Sequence, residues 1–146
     1  MSALKILNIK FYILLMSLLI AIACSNEQPL ESGNGGGTME ATLSRIQSQI
    51  FSPRCAIPGC HVPGGAGPMP LRNRDESFNV LVNVPSTEKP EILRVKPNDP
   101  DNSYLIQKLE GRPGISGSRM PLGGPFLSES QINEIKEWIR NGAQKN

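Results

Sequence analysis

Cys55-Ala56-Ile57-Pro58-Gly59-Cys60-His61 is the stretch on which the reading of this chain turns. It places two thiols and an imidazole within seven residues, and His61 is the only histidine in the sequence. Two cysteines followed at once by histidine are the set that covalent attachment of a c-type haem requires. Each thiol forms a thioether with one vinyl group, and the imidazole ligates iron from the face the loop covers. The usual spacing is C-x-x-C-H, whereas four residues separate Cys55 from Cys60. The two vinyl groups are a fixed distance apart, so the two additional residues must loop out, and Pro58-Gly59 is turn-forming sequence for that purpose. On the cysteine pair alone a disulfide stands equally open, because exported thiols do not usually stay reduced. Zinc is disfavoured: two Cys and one His leave a tetrahedral set one ligand short, and no second Cys/His cluster exists.

The compartment is read from the first residues. Lys5 and Lys10 precede an uncharged run from Phe11 to Ala23, the pattern of an export signal. Ala23-Cys24 behind that run resembles a bacterial lipoprotein signal, which implies cleavage before Cys24 and lipid on its sulfur. The alternative is an uncleaved anchor, but the run is short of the ~20 residues that span a bilayer. Residues 1–23 are therefore expected to be a signal peptide. Residues 24–37, which end in Gly33-Asn34-Gly35-Gly36-Gly37, should form a flexible tether. Residues 38–146 are expected to fold, exported and tethered to a membrane at the periplasmic face, the outer membrane or the cell surface. Residues 1–23 hold two of the fifteen basic residues and none of the thirteen acidic ones, so the remainder is formally neutral. There is no basic stripe to support nucleic-acid binding.

Periodicity predicts an all-α domain of three to five short helices with long Gly/Pro loops. Thr38 is the expected cap of a first helix, with Glu40 in its first turn and Met39, Leu43, Ile46 and Ile50 on one face. Ser52-Pro53 should end it. Asp75 is expected to cap a short helix carrying Phe78, Leu81 and Val82, with a strand over residues 78–84 as the open alternative. Asp99 and Pro100 read as N-cap and first residue of a helix carrying Tyr104, Leu105 and Leu109, closed by Gly111. Ser128 and Gln131 form a capping box, and Leu127 is placed to staple onto Ile132. Ile132, Ile135 and Ile139 make an apolar stripe beside Trp138, and Gly142 is the stop. Loops as long as residues 62–70 and 111–125 are unusual in a small domain unless a function or cofactor orders them.

An electron-carrying iron would need a ligand opposite His61, and a thioether sulfur raises the reduction potential and closes the site. Met39 belongs to the first helix face, and Met69 is only eight residues from His61, too near to cross to the opposite haem face. Met120, on a Pro/Gly loop before the last helix, is the candidate, with simple packing of the loop as the alternative.

The order of these pieces resembles the small mono-haem cytochrome c fold, and more closely the planctomycete-type cytochrome c domain. Phe51-Ser52-Pro53-Arg54-Cys55 with Gly59-Cys60-His61 resembles its haem loop, whose cysteine spacing varies. Val95-Lys96-Pro97-Asn98-Asp99-Pro100-Asp101-Asn102-Ser103-Tyr104-Leu105 resembles its V-x-P-G-D-P-x-x-S-x-L segment, with Asn98 in place of Gly. Arg119-Met120-Pro121 resembles its R-M-P segment, and Ile135 to Ala143 its I-x-x-W-I-x-x-G-A ending. The resemblance spans residues 40–143. It implies one haem c attached at Cys55 and Cys60, with His61 as proximal and Met120 as distal ligand. The implied task is one-electron transfer with redox proteins in the periplasm or at the cell surface. With both axial positions filled, such a chain is no enzyme, and no paired-carboxylate, triad or P-loop pattern is present. A binding module stapled by a Cys55–Cys60 disulfide is the alternative. Arg119, Asn102 and Tyr104 are candidates for the haem rim.

Overall fold

In the computed structural model, which describes residues 40–146, Thr42 rather than Thr38 starts the first helix. Its hydroxyl accepts from the Arg45 N–H at 3.2 Å, and α1 runs Leu43–Ile46. Glu40 thus lies before the cap, not in the first turn. The reason is a distant contact. Asn146 accepts from the Leu43 N–H through its side chain at 3.0 Å and from the Ser44 N–H through its backbone carbonyl at 2.9 Å. These bonds satisfy donors that a helix start otherwise leaves unpaired. The expected signal peptide (1–23), Cys24, the expected tether (24–37), Thr38 and Met39 lie outside the described residues.

Pro53, expected to end this helix, sits inside its last turn. After α1 the chain widens into a π turn, Gln47–Phe51, and tightens again as α2, Ser52–Arg54. A proline in a helix has no N–H to give and its ring presses on the carbonyl four residues back. The wider i→i+5 turn preceding it relieves that contact. It also carries Phe51 inward beside Leu43, Ile46, Gln47 and Ile50, all buried.

The remaining helices are α3 (Arg74–Leu81), α4 (Tyr104–Glu110) and α5 (Glu129–Arg140). Helix wins over strand in the third segment because Asn73, not Asp75, caps it, accepting from the Glu76 N–H at 2.9 Å. Asp75 lies in its first turn. Helix α4 starts later than expected, with Ser103 as its N-cap residue. Asp99 instead caps a separate turn, accepting from the Asn102 N–H at 3.2 Å. Ser103 holds that turn, donating to the Asp99 carbonyl at 2.8 Å and accepting from the Lys96 N–H at 2.9 Å. Gly111 is the C-cap of α4. On α5 the capping box forms as expected, and Leu127, Ile132, Ile135, Trp138 and Ile139 are buried in one cluster. The Trp138 indole donates to the Gln144 carbonyl at 2.8 Å, so this ring belongs to the core.

Helix α5 packs against α1 and α4, and α1 against α3. Ion pairs reinforce the packing: Arg45–Glu134 at 2.6 Å between α1 and α5, and Lys136–Glu110 between α5 and α4. No strand forms among the described residues. The segment after α3 is held by two isolated bridges, Val82 with Val95 and Pro85 with Leu93. It then clamps the start of α4 through Tyr104 N–H to the Leu93 carbonyl at 2.9 Å. No helix among the described residues is long and apolar enough to cross a membrane.

Asn98 has φ 66°, the left-handed region, and its N–H reaches the Ile139 carbonyl at 2.8 Å. Asn and Gly tolerate that conformation, whereas a β-branched residue is strained there by ~1–2 kcal/mol. Urea unfolding should therefore find Asn98→Gly near wild type and Asn98→Val less stable by about that amount.

Candidate functional site

The loop that follows α2 is built by its own backbone. Ile57 to Cys60 is a turn closed by the Cys60 N–H to the Ile57 carbonyl at 3.0 Å, with Pro58 and Gly59 (φ 82°) at its centre. Proline then glycine with positive φ is the type II arrangement. The His61 N–H next returns to the Cys55 carbonyl at 3.0 Å. The extra residues are thus looped out, and the backbone is drawn together at the two ends of the motif. Cys55 and Cys60 are both free and partly buried.

The Gly/Pro loop then folds back over this turn. Ala66 N–H bonds the Gly59 carbonyl at 3.0 Å, and Leu71 N–H bonds the His61 carbonyl at 2.9 Å. A Cβ on Gly67 would stand 2.4 Å from His61 Nδ1, so only glycine allows the backbone this close to the imidazole. Nδ1 lies 3.0 Å from the Met69 carbonyl. A carbonyl can only accept, so Nδ1 carries the proton and Nε2 keeps its lone pair for a metal.

A cavity opens beside this loop in two lobes, each including space open to solvent. The inner lobe is narrow, about 70 Å³, and the outer holds about 490 Å³, so the outer alone reaches the size of a small-molecule site. Cys55, His61 and Met120 line both, and Cys60 lines the outer. All four sequence-selected residues therefore meet at one cavity. Met120 is delivered there by its N–H, which bonds the Lys108 carbonyl on α4 at 2.9 Å. Phe51, Leu71, Leu81, Leu105 and Leu109 supply apolar wall to the inner lobe. Ile57 and Leu122, the latter 68% exposed, stand at the outer lobe.

One pole of the inner lobe is polar, and the sequence reading named only Tyr104 from it. Glu88 accepts from the Tyr104 hydroxyl at 2.8 Å and pairs with Lys108 at 3.0 Å. Lys108 also donates to the Ser116 carbonyl at 2.7 Å, and Ser116 N–H bonds the Tyr104 oxygen at 3.0 Å. Burial works to raise the Glu88 carboxyl, but the bonds from Tyr104 and Lys108, with the nearby His61, outweigh it and hold it below the ordinary range. Arg94 is 8% exposed and lines the same lobe. Its guanidinium donates to the Val80 carbonyl at 2.8 Å. Two expected rim residues face elsewhere: Asn102 bonds Asp99, and Arg119 donates to the Leu109 carbonyl while lying over the Phe126 ring at 4.1 Å. The missed residues carry no local motif; only their meeting at the cavity marks them. Among the described residues no group of three His, Cys, Asp or Glu side chains is placed to hold a metal ion.

The chain matches no family model, no curated protein and no solved structure.

Burial pushes the Cys55 thiol up to about 11, with Cys60 adding to the rise and Arg54 opposing it. A neutral thiol is a poor nucleophile. With Cys24 and Cys60 replaced by serine, alkylation of Cys55 by iodoacetamide should be slow at neutral pH. It should accelerate as pH climbs toward about 11, and the acceleration should shift to lower pH once denaturant exposes the thiol.

Proposed function

We propose that this chain is an exported, lipid-tethered electron carrier of the c-type cytochrome kind, related to the planctomycete-type domain it resembles, with one covalent haem. The observation that carries this reading is the convergence of Cys55, Cys60, His61 and Met120 on one largely apolar cavity. The donor set fits the group: two free thiols, an imidazole with its Nε2 lone pair available, and a thioether.

Cys55 and Cys60 would hold the cofactor through thioether links to its two vinyl groups. His61 and Met120 are the iron ligands. When bound, haem c supplies reversible one-electron exchange between ferrous and ferric iron. The Met69 carbonyl orients the imidazole. The leucine and phenylalanine walls exclude water. Arg94, charged and donating to the Val80 carbonyl, gives the cavity a cationic wall suited to carboxylates. With His61 and Met120 both holding the iron, the group would exchange electrons with redox protein partners and leave no position for a substrate. Lipid on Cys24 holds it at the membrane.

The test is to express the chain with its N-terminal segment in a host that carries cytochrome c maturation enzymes. Haem staining should persist on the denatured chain, and the oxidised protein should show a weak sulfur-to-iron band. Met120→Ala should lose that band and, when reduced, bind carbon monoxide that the parent protein does not. A colourless protein without free thiols overturns the proposal and leaves a module stapled by a Cys55–Cys60 disulfide.

A further inference from the structure

Gln47 is a polar side chain in the middle of an apolar helix face, only 6% exposed. It has no role in the motif and sits where leucine or isoleucine would serve the core. Its amide is nevertheless fully engaged. Nε2 donates to the Leu71 carbonyl at 2.8 Å and to the Ser52 hydroxyl at 3.0 Å, and Oε1 accepts from the Ser77 hydroxyl at 2.7 Å. Ser77 is itself fully buried. One side chain therefore joins the π turn, the end of the Gly/Pro loop and helix α3.

The Leu71 end of this network leads to the imidazole. The Leu71 peptide is held on both sides, its carbonyl by Gln47 and its N–H by the His61 carbonyl at 2.9 Å. Two residues earlier, the Met69 carbonyl receives the His61 Nδ1 proton. The stretch from His61 to Leu71 has no helix or strand of its own to hold Met69 in place. Its end is anchored to the rest of the fold by the Leu71 side chain in the core and by the buried amide of Gln47, the polar bond to its backbone.

We propose that Gln47 is a positioning residue for His61, acting through Leu71 to hold the Met69 carbonyl against Nδ1. The inference rests on the haem reading only for what His61 does afterwards. The π turn and its glutamine are part of the site. The wide turn places the Gln47 amide between Leu71, Ser52 and Ser77, and through Leu71 it steadies the loop that holds His61 Nδ1 to the Met69 carbonyl. A buried polar group in a core of this size is costly unless every partner is present, which is the situation observed.

The chain has a single histidine, so its imidazole signals are unambiguous in a nitrogen-15 NMR spectrum. The experiment measures exchange of the His61 Nδ1 proton with water in the full chain, in the ferrous form if haem is attached and in the colourless form if it is not. Haem staining of the same sample reports separately on the cofactor. Gln47→Met keeps the volume and removes the amide, and its Nδ1 proton should exchange about tenfold faster, the scale of one lost hydrogen bond. Ile132→Val, a trimmed core residue on α5, should leave the rate within about twofold of the parent, since distant sites add independently. Ser77→Ala, a milder change that keeps the Gln47–Leu71 bond, should give an intermediate rate and stands in if Gln47→Met does not fold. Equal rates in the parent and in the Gln47 or Ser77 variant overturn the proposal. So does equal acceleration in Ile132→Val, which would make the effect one of general stability.

Discussion

The bond from His61 Nδ1 to the Met69 carbonyl is the constraint around which the site is arranged. It places the proton on Nδ1 of the only imidazole, so in the neutral ring Nε2 carries the lone pair. It can form only because the loop after the cysteine motif doubles back, and the loop doubles back because Gly67 lets its backbone pass against the ring. Leu71 then closes the loop on the His61 carbonyl. A run with this much proline and glycine has no intrinsic order, so each of these bonds must come from the loop meeting itself or the helices.

The helices do two jobs that are separable in the structure. Helix α5, with its buried isoleucines and Trp138, is core and lines neither lobe of the cavity. Helix α4 is the cavity wall: Tyr104, Leu105, Lys108 and Leu109 line the inner lobe, and the Lys108 carbonyl receives the Met120 N–H. Packing of α4 on α5 thus ties the position of Met120 to the stability of the core. The polar pole built from Glu88, Tyr104, Lys108 and Arg94 lies on the same side, on segments clamped together at the start of α4. An apolar cavity with one cationic pole suits a flat apolar ligand bearing carboxylates, which is why the proposed cofactor accounts for more of the lining than the thiols and imidazole alone.

Where the sequence reading went astray, a contact it had not weighed was responsible, long-range at the first helix and closer along the chain elsewhere. Thr38 and Glu40 made a sound helix start, but Asn146 pairs with the N–H groups of Leu43 and Ser44 and the helix begins at Thr42. Asp99-Pro100 had the signature of a helix start, but Ser103 ties that turn to Lys96 and the helix begins after it. Pro53 is a helix breaker in isolation, but a π turn ahead of it absorbs the ring.

By itself the sequence determined what depends on neighbours along the chain. The Ser128–Gln131 capping box, the isoleucine stripe of α5 and the Pro58-Gly59 turn follow from local dihedral preference and period. So does the pairing of two cysteines with one histidine as the candidate chemistry. Only the tertiary structure decided that Met120 shares a cavity with that motif, that Arg94 and Glu88 join it, and that Gln47 braces the loop behind His61. The physical reason is that these placements rest on hydrogen bonds and packing between residues far apart in the chain. No local pattern encodes such contacts; they come into being only when the helices bury their apolar faces together.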